Sequence, residues 1–268
     1  MVKIEGYDFL NIDYFHQFTK GENVKIAVLD SEIILDHPEF SDRRIEYEEF
    51  IDSKELNLHG TAVSSLIVGN SIGVSPESDI YHMKMLSDIY GTGKSWDKAM
   101  SSALRKKVDL ICMSIGTKAQ LSPSMRQSIQ TASDRGMVIS APSGNEGRTL
   151  LRNPADNHNV VAVGGVGKNR KISKTSNKNI RMGAYAPSEN IIVANATMSP
   201  LYSNVNGTSF ANAIFIGQAS LIISYARSNG KEINVKKFLE WYNRTYRTEL
   251  KVLDMEKVKE GLDIYLNV

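Results

Sequence analysis

Three side chains in this sequence could together make a serine hydroxyl reactive. Asp30 ends the apolar segment VKIAVLD, His59 opens the segment HGTAVSSLIVG, and Ser209 lies within NGTSFANA. A serine is a weak nucleophile until a histidine takes its proton, and a carboxylate fixes the histidine tautomer and stabilises the imidazolium. These residue types therefore suggest attack on a carbonyl carbon with a covalent acyl intermediate.

Each of the three positions also has a simpler explanation. An aspartate at a strand end can cap the following turn, and a histidine can belong to an ordinary polar helix N-terminus. Ser209 or Thr208 can serve as the N-cap of the long apolar helix that follows. The same helix start would favour a developing negative charge at Ser209, through its free N–H groups and its dipole.

A fourth segment, SGNEG (143–147), follows the apolar run MVISAP. An asparagine amide beside glycines, here Asn145, can donate to an oxyanion and contribute about 3–4 kcal/mol to transition-state stabilisation. Gly-Asn-x-Gly is also common turn chemistry, so the segment alone leaves both explanations open.

The elements that must hold these residues alternate between two kinds of segment. Short apolar runs typical of strands cover residues 24–30, 79–86, 108–115, 137–142 and 159–166. Segments typical of helices cover residues 59–69, 95–107, 122–136, 208–230 and 234–244, with Ser95 a candidate N-cap. This alternation predicts an α/β fold with a mostly parallel central sheet and helices on both faces. No linker or repeat interrupts it, so we expect a single domain over residues 1–268.

Composition narrows the class of protein. The chain has 268 residues, 41% of them hydrophobic, which is enough for one well-buried core. Its net charge of +2 gives no reason to expect nucleic acid or a membrane surface as a partner. The single cysteine, Cys112, excludes an intrachain disulfide. No secretory signal or membrane span is recognisable, so we expect a cytoplasmic protein, although removal of a signal or pro-segment would leave the same pattern.

Taken together, these segments resemble the subtilisin-like serine proteases (subtilases) over almost the whole chain. VKIAVLDS is similar to the family strand that ends in Asp-Ser-Gly, and HGTAVSSL resembles its His-Gly-Thr-His helix. ICMSIG, APSGNEG and NGTSFANA are similar to Asn-Met-Ser-Leu-Gly, Ala-Ala-Gly-Asn-x-Gly and Gly-Thr-Ser-Met-Ala-x-Pro. The chain order Asp, His, Ser is also that of subtilisin. The resemblance implies a subtilisin-like fold and a serine endopeptidase, with no cofactor.

The resemblance also implies a role for each matching residue. Ser209 would attack the scissile carbonyl, His59 would act as general base and then general acid, and Asp30 would orient His59. Asn145 and the Ser209 backbone N–H would form the oxyanion hole. The substrate, a peptide or precursor protein, would bind as an extended strand along Gly91, Gly93, Ser114, Ile115, Gly116, Ala141, Pro142, Ser143 and Gly144.

The sequence departs from the family pattern near these residues. Glu32 stands where glycine is usual, Ala62 replaces the second histidine of His-Gly-Thr-His, and Asn212-Ala213 replaces the usual Ser-Pro. These changes put the catalytic rate in doubt rather than the fold. Glu39 falls where the family's calcium site has an acidic ligand, but the loop that supplies carbonyl ligands is short. Since calcium needs 6–8 oxygens, we expect no calcium ion there.

Arg152, in the short segment GRTLLRNPA, would lie near the base of the first specificity pocket. There a guanidinium would favour acidic or amide side chains at P1, unless it points to solvent instead. The compact size and the unusual Glu32 and Asn212-Ala213 are more similar to leader peptidases of lanthipeptide pathways, so we expect a specialised, leader-removing protease. The alternatives are a broad intracellular degradative subtilase and a pseudoprotease that binds peptides without cleaving them.

Overall fold

A parallel β-sheet forms the centre of the protein. The computed structural model describes residues 6–52, 59–87, 90–246 and 250–268. The strands are β1 (Lys25–Asp30), β2 (Ile45–Glu49), β3 (Asp79–Lys84), β4 (Leu86–Ser87), β5 (Tyr90–Gly91), β6 (Leu110–Cys112), β7 (Val138–Pro142), β8 (Val160–Val166), β9 (Met182–Pro187), β10 (Ile191–Ala194) and β11 (Tyr202–Val205). Seven of them form the central sheet in the order β2-β3-β1-β6-β7-β8-β9, and each neighbouring pair is parallel. The pairs β4–β5 and β10–β11 form two small antiparallel sheets.

Helices cover both faces of this sheet. They are α1 (Ile12–Phe15), α2 (His59–Val68), α3 (Gly93–Lys106), α4 (Pro123–Asp134), α5 (Thr208–Ser228), α6 (Val235–Thr245) and α7 (Met255–Leu266). In β1, Ile26 and Val28 belong to the core that contains α2, α5, α6 and α7, whereas Ala27 and Leu29 belong to the core that contains α3 and α4. Successive strand residues point to opposite faces, so a strand covered on both faces is apolar throughout. The predicted fold class, α/β with a mostly parallel sheet and helices on both faces, is confirmed.

The carboxyl ends of the parallel strands meet at one edge of the sheet. Neighbouring strands β1, β6 and β7 end at Asp30, Cys112 and Pro142 respectively. The segments that follow β6 and β7 contain Ser114 and Asn145. Because ligands of open α/β sheets bind beyond this edge, the topology brings three distant parts of the chain to one location suited to a site.

Helix α5 runs through the core and begins at the same edge. Within the described residues it is the one helix long and apolar enough to cross a membrane by length and composition, and 94% of the relevant window is buried inside the protein. Its apolar character is therefore that of a core helix, packed between the sheet and α2.

Some elements differ from those expected from the sequence. The sequence predicted Ser95 as the N-cap of α3, and this prediction is wrong. That position belongs to Thr92, whose side chain accepts from the Ser95 N–H while the Ser95 hydroxyl accepts from the Thr92 N–H. This reciprocal pair is a capping box, which moves the helix start two residues earlier, to Gly93. The first five residues, where a secretory signal would begin, lie outside the described part of the chain.

Candidate active site

Asp30 and His59 form a direct hydrogen bond at the carboxyl edge of the sheet. Asp30 ends β1 and is fully buried, and His59 is the first residue of α2. The His59 Nδ1 atom lies 2.8 Å from Asp30 Oδ1, which also accepts the Ser31 N–H at 2.7 Å. A Cβ at position 60 would stand 2.6 Å from the Ser31 carbonyl oxygen, so Gly60 lets α2 begin this close to β1.

The two charges of this pair influence each other strongly. Burial works to raise the pKa of Asp30, but the charge of His59, its hydrogen bond and the Ser31 N–H outweigh burial and hold that pKa below its ordinary value. Burial works to lower the pKa of His59, yet the Asp30 carboxylate and its hydrogen bond raise the pKa above the ordinary value. The geometry therefore stabilises an imidazolium at His59 beside an ionised Asp30.

Ser209 lies in the first turn of α5, facing the end of β6. Its Oγ donates to the Ser114 carbonyl oxygen at 3.2 Å. Gly207, the N-cap of α5, has a φ of +149°, a conformation that favours glycine. The ring of Phe210 packs on the imidazole of His59, with ring centroids 5.7 Å apart. The starts of α2 and α5 are therefore adjacent, and Ser209 is in the same region as His59 and Asp30.

Asn145 is oriented by the first residue of α5. Its Oδ1 accepts both the Thr208 N–H and the Thr208 hydroxyl, each at 2.9 Å. The Oδ1 atom is thereby committed to Thr208, and the Nδ2 donor group is turned toward the space near Gly207, 3.6 Å from where a Cβ on that residue would stand. An amide donor fixed in this way beside a helix N-terminus is the arrangement that an oxyanion hole needs.

Two segments line the space beside Ser209. Ser114 is buried and Gly116 is exposed on one side, while residues 141–144 are buried on the other. Thr117 and Asn153 exchange two backbone hydrogen bonds, at 2.9 and 3.0 Å, and the Arg152 N–H donates to the Ser143 carbonyl at 3.0 Å. Residues 152–153 therefore close the gap between the two walls. Further along the edge, Gly91 pairs with Leu86 in the antiparallel β4–β5 pair, and Gly93 begins α3.

Arg152 forms an ion pair that the sequence did not predict. Its Nε donates to Glu146 Oε1 at 3.0 Å, and its Nη2 donates to the same oxygen. The Arg152 side chain is only 14% exposed, so it does not point to solvent. The hydrogen bond from Arg152 lowers the pKa of Glu146. Glu146 lies within the SGNEG segment, but nothing in that segment indicated its partner.

The departures from the family pattern have local partners. The Glu32 carboxylate lies 3.9 Å from Lys84 Nζ, which also pairs with Glu49 at 2.6 Å, so this extra negative charge is close to a buried cation. The Asn212 side chain donates to Ser114 Oγ at 3.1 Å. It therefore helps to fix the residue that contacts Ser209.

A second buried histidine, His82 in β3, was not singled out from the sequence. Its Nε2 lies 2.7 Å from the Ser31 carbonyl oxygen and its Nδ1 lies 2.9 Å from Ser64 Oγ. Burial lowers its pKa, which favours the neutral ring. His82 thus ties the segment after Asp30 to α2. A histidine inside the apolar strand DIYHMK was the available signal.

Glu39, which the resemblance matched to a calcium ligand, is bound by groups of the chain itself. It is 2% exposed. Its Oε2 accepts the N–H groups of Ser71 at 2.9 Å and Ile72 at 3.4 Å. Its Oε1 accepts the Tyr202 hydroxyl at 2.6 Å and the Ser71 hydroxyl. Over the described residues, no group of three or more His, Cys, Asp and Glu side chains could hold a metal ion.

Comparisons with known proteins agree with this geometry. The model of the subtilase family matches residues 21–253. The chain is 33% identical over 226 residues to the major intracellular serine protease of Bacillus subtilis (strain 168), covering 77% of this chain and 70% of that protein. It is 31% identical over 231 residues to an intracellular serine protease of Paenibacillus polymyxa, covering 79% of this chain and 70% of that protein.

Solved structures show the same fold. The prenylagaramide maturation protease PagA superposes with a TM-score of 0.76 at 25% identity, over 85% of this chain and 84% of that chain. The PatG macrocyclase in complex with peptide has a TM-score of 0.80 over 94% of this chain and 95% of that chain, and at 17% identity this shows the fold alone. Sequence and fold agree, and the chain belongs to the subtilase family of serine proteases.

Proposed function

We propose that this protein is an endopeptidase that hydrolyses peptide bonds through Asp30, His59 and Ser209. The observation that carries the proposal is the 2.8 Å hydrogen bond between buried Asp30 and His59, beside the start of the helix that carries Ser209. His59 takes the Ser209 proton as the Oγ attacks the scissile carbonyl carbon, and the tetrahedral intermediate expels the amine, which receives that proton. Water then hydrolyses the acyl-enzyme by the same sequence in reverse.

Negative charge develops on the carbonyl oxygen during both attacks. The Asn145 Nδ2 group and the Ser209 N–H at the start of α5 would donate to it. Since Thr208 already fixes the amide through Oδ1, the donor needs little reorganisation when the charge forms.

The substrate peptide would bind as an extended strand between two segments at the carboxyl edge of the sheet. Residues 114–116 extend beyond β6 and would pair with the peptide backbone, and Gly91 and Gly93 would flank its other side. Residues 141–144 would line the pocket for the P1 side chain. Main-chain pairing of this kind supplies affinity, while the pockets supply selectivity.

We further propose that the enzyme is a cytoplasmic, single-domain processing protease that removes a leader from a precursor peptide, as in lanthipeptide pathways. The likeness to PagA, which is named as the prenylagaramide maturation protease, supports precursor processing, and the lanthipeptide assignment rests on the sequence resemblance alone. The names of the two bacterial relatives support an intracellular location, and they also favour the competing possibility of broad protein degradation.

A peptide pool separates these functions. Wild-type protein and Ser209→Ala are incubated with the same diverse pool, cleavage sites are read by mass spectrometry, and casein turnover is measured beside them. We expect that only wild type cleaves the pool, that its cleavage sites share a narrow sequence consensus, and that casein stays intact. Broad cleavage together with casein turnover would favour degradation instead. If a fluorophosphonate probe fails to label Ser209 in folded wild-type protein, the endopeptidase proposal is wrong.

A further inference from the structure

A single short segment spans the space between the two walls that would line the P1 pocket. Residues 152–153 are hydrogen-bonded to Ser143 on one wall and to Thr117 on the other. A P1 side chain that enters between residues 114–116 and 141–144 therefore meets Arg152. The shape and charge of the Arg152 side chain would therefore determine which P1 side chains bind.

The aliphatic part of Arg152 fills the width of this space. A Cβ on Gly116 would stand 3.2 Å from Arg152 Cβ, and a Cβ on Gly144 would stand 2.7 Å from Arg152 Cγ. The stem thus bridges two glycines on opposite walls. If the P1 side chain binds between these walls, the stem would limit the depth open to a large aromatic side chain.

The charged end of Arg152 is compensated rather than free. Glu146 takes the Nε and Nη2 donors on one oxygen, and its other oxygen, Oε2, accepts Asn177 Nδ2 at 2.7 Å. Oε2 also lies 2.9 Å from where a Cβ on Gly144 would stand, so the carboxylate borders the same wall as the arginine stem. A P1 side chain bound along this wall would therefore meet one positive and one negative group side by side.

Asn177 holds this pair in place. It is 1% exposed, and its Nδ2 donates to the Ser143 carbonyl at 3.2 Å and the Leu150 carbonyl at 3.0 Å as well as to Glu146. Its Oδ1 accepts the N–H groups of Glu146 at 3.1 Å and Arg148 at 2.8 Å. A buried side chain with this many partners fixes the loop, so the ion pair is not a passing surface contact.

We propose that the paired Arg152 and Glu146 form a shallow, electrically neutral P1 pocket that selects a carboxamide side chain, glutamine or asparagine. This inference rests on the proposed endopeptidase function. A carboxamide carries both donors and an acceptor, which match a guanidinium and a carboxylate that lie together. A P1 carboxylate would face Glu146 and a P1 ammonium would face Arg152, and each would compete with the existing pair. The sequence-based expectation of an acidic or amide P1 residue is thereby narrowed to the amide.

The test uses substrates that differ only at P1. The best-cleaved sequence from the peptide pool is prepared with Gln, Glu, Lys, Ala or Phe at that position, and kcat/KM is measured for each. For wild type, kcat/KM is expected to be about tenfold or more higher with Gln than with Glu or Lys at P1. The reason is that a charged P1 side chain would compete with the existing ion pair. Equal rates for Glu and Gln, or a preference for Phe, would overturn the proposal.

Two single substitutions should move the preference in opposite directions. Glu146→Gln keeps the side-chain length and an acceptor for Asn177, but leaves Arg152 uncompensated, so the Glu-to-Gln rate ratio should rise about tenfold. Arg152→Met keeps the stem and leaves Glu146 uncompensated, so the Lys-to-Gln ratio should rise instead. The double variant should show neither shift, because both charges are gone.

Arg181→Met is the matched control, because Arg181 forms an exposed ion pair with Asp156 outside the pocket. Its P1 ranking should equal that of wild type. If every variant cleaves the substrates and ranks the P1 residues as wild type does, the pocket assignment is wrong but the endopeptidase proposal stands. Failure of fluorophosphonate to label Ser209 in wild type would instead overturn the endopeptidase proposal on which the inference rests.

Discussion

Ser114 and Ser209 are joined by two reciprocal hydrogen bonds, in which each hydroxyl donates to the other's carbonyl oxygen. The Oγ to O distances are 3.0 Å from Ser114 and 3.2 Å from Ser209. This exchange fastens the first turn of α5 to the segment that follows β6. These two hydrogen bonds therefore hold the proposed nucleophile next to the proposed substrate-pairing segment.

The first prediction concerns Ser114→Ala. This change removes the donor to the Ser209 carbonyl and leaves the buried Asn212 amide without its oxygen acceptor, so the free energy of unfolding should fall by about 1–3 kcal/mol. The rate constant kcat should fall with it, because the start of α5 is less well fixed. Urea unfolding and kcat are measured beside Ser140→Ala, which removes a buried hydroxyl that has no hydrogen-bond partner within the described chain. Equal effects of the two substitutions would contradict the role given to Ser114.

The second prediction separates two functions of Asn145. Asn145→Asp keeps an oxygen that can accept from Thr208 but lacks the Nδ2 donor, so it should fold like wild type and lose about 10²–10³ in kcat with little change in KM. Asn145→Ala loses both functions, and it should lose stability as well as rate. Thermal unfolding and steady-state kinetics on one peptide distinguish the two variants. Near wild-type kcat in Asn145→Asp would exclude the amide as an oxyanion donor.

The third prediction follows from the raised pKa of His59. Only the neutral imidazole can accept the Ser209 proton, so kcat/KM should fall as the pH drops through this raised pKa. Half-maximal activity should therefore lie above pH ~6.5, the ordinary value for histidine. Asp30→Asn removes the carboxylate that raises the pKa, which should shift the acid limb to lower pH and reduce kcat by about 10⁴.

A profile of kcat/KM between pH 5 and 9 measures both effects. Asp156→Asn is the control, because it removes an exposed carboxylate from a surface ion pair and should leave the acid limb in place. An acid limb that does not move in Asp30→Asn would rule out His59 as the group that titrates.

The sequence anticipated the parts of the site that local patterns determine. Apolar runs that end in Asp30 or precede Asn145 are typical of buried parallel strands, and the carboxyl ends of such strands share an edge. The long apolar helix after Ser209 was equally recognisable. These features depend on neighbours in the chain, so periodicity and motif could reveal them.

Other features depend on contacts that no local pattern encodes. The edge strand β9, MGAYAP, contains glycine and proline, and β2, IEYEE, is rich in charge, so neither has a strong strand signal. The partner of Arg152 could not be read from the chain either. Glu146 is close to Arg152 in sequence. However, the Glu146 side chain is held in place for the ion pair by a hydrogen bond from Asn177, which belongs to a distant loop.

The last prediction concerns Glu39 and calcium. Four donors of the chain already bind this buried carboxylate, so thermal unfolding should be the same in EDTA as in millimolar calcium. Glu39→Gln should lower the free energy of unfolding by about 1–3 kcal/mol, because a neutral amide oxygen accepts weaker hydrogen bonds than a carboxylate and the NH2 group forces the Tyr202 and Ser71 hydroxyls to become acceptors. Tyr202→Phe removes only one of the four donors and should cost about 0.5–1.5 kcal/mol. If calcium instead raised the melting temperature of wild type but not of Glu39→Gln, Glu39 would be a cation ligand, and the four hydrogen bonds could not all persist in the calcium-bound protein.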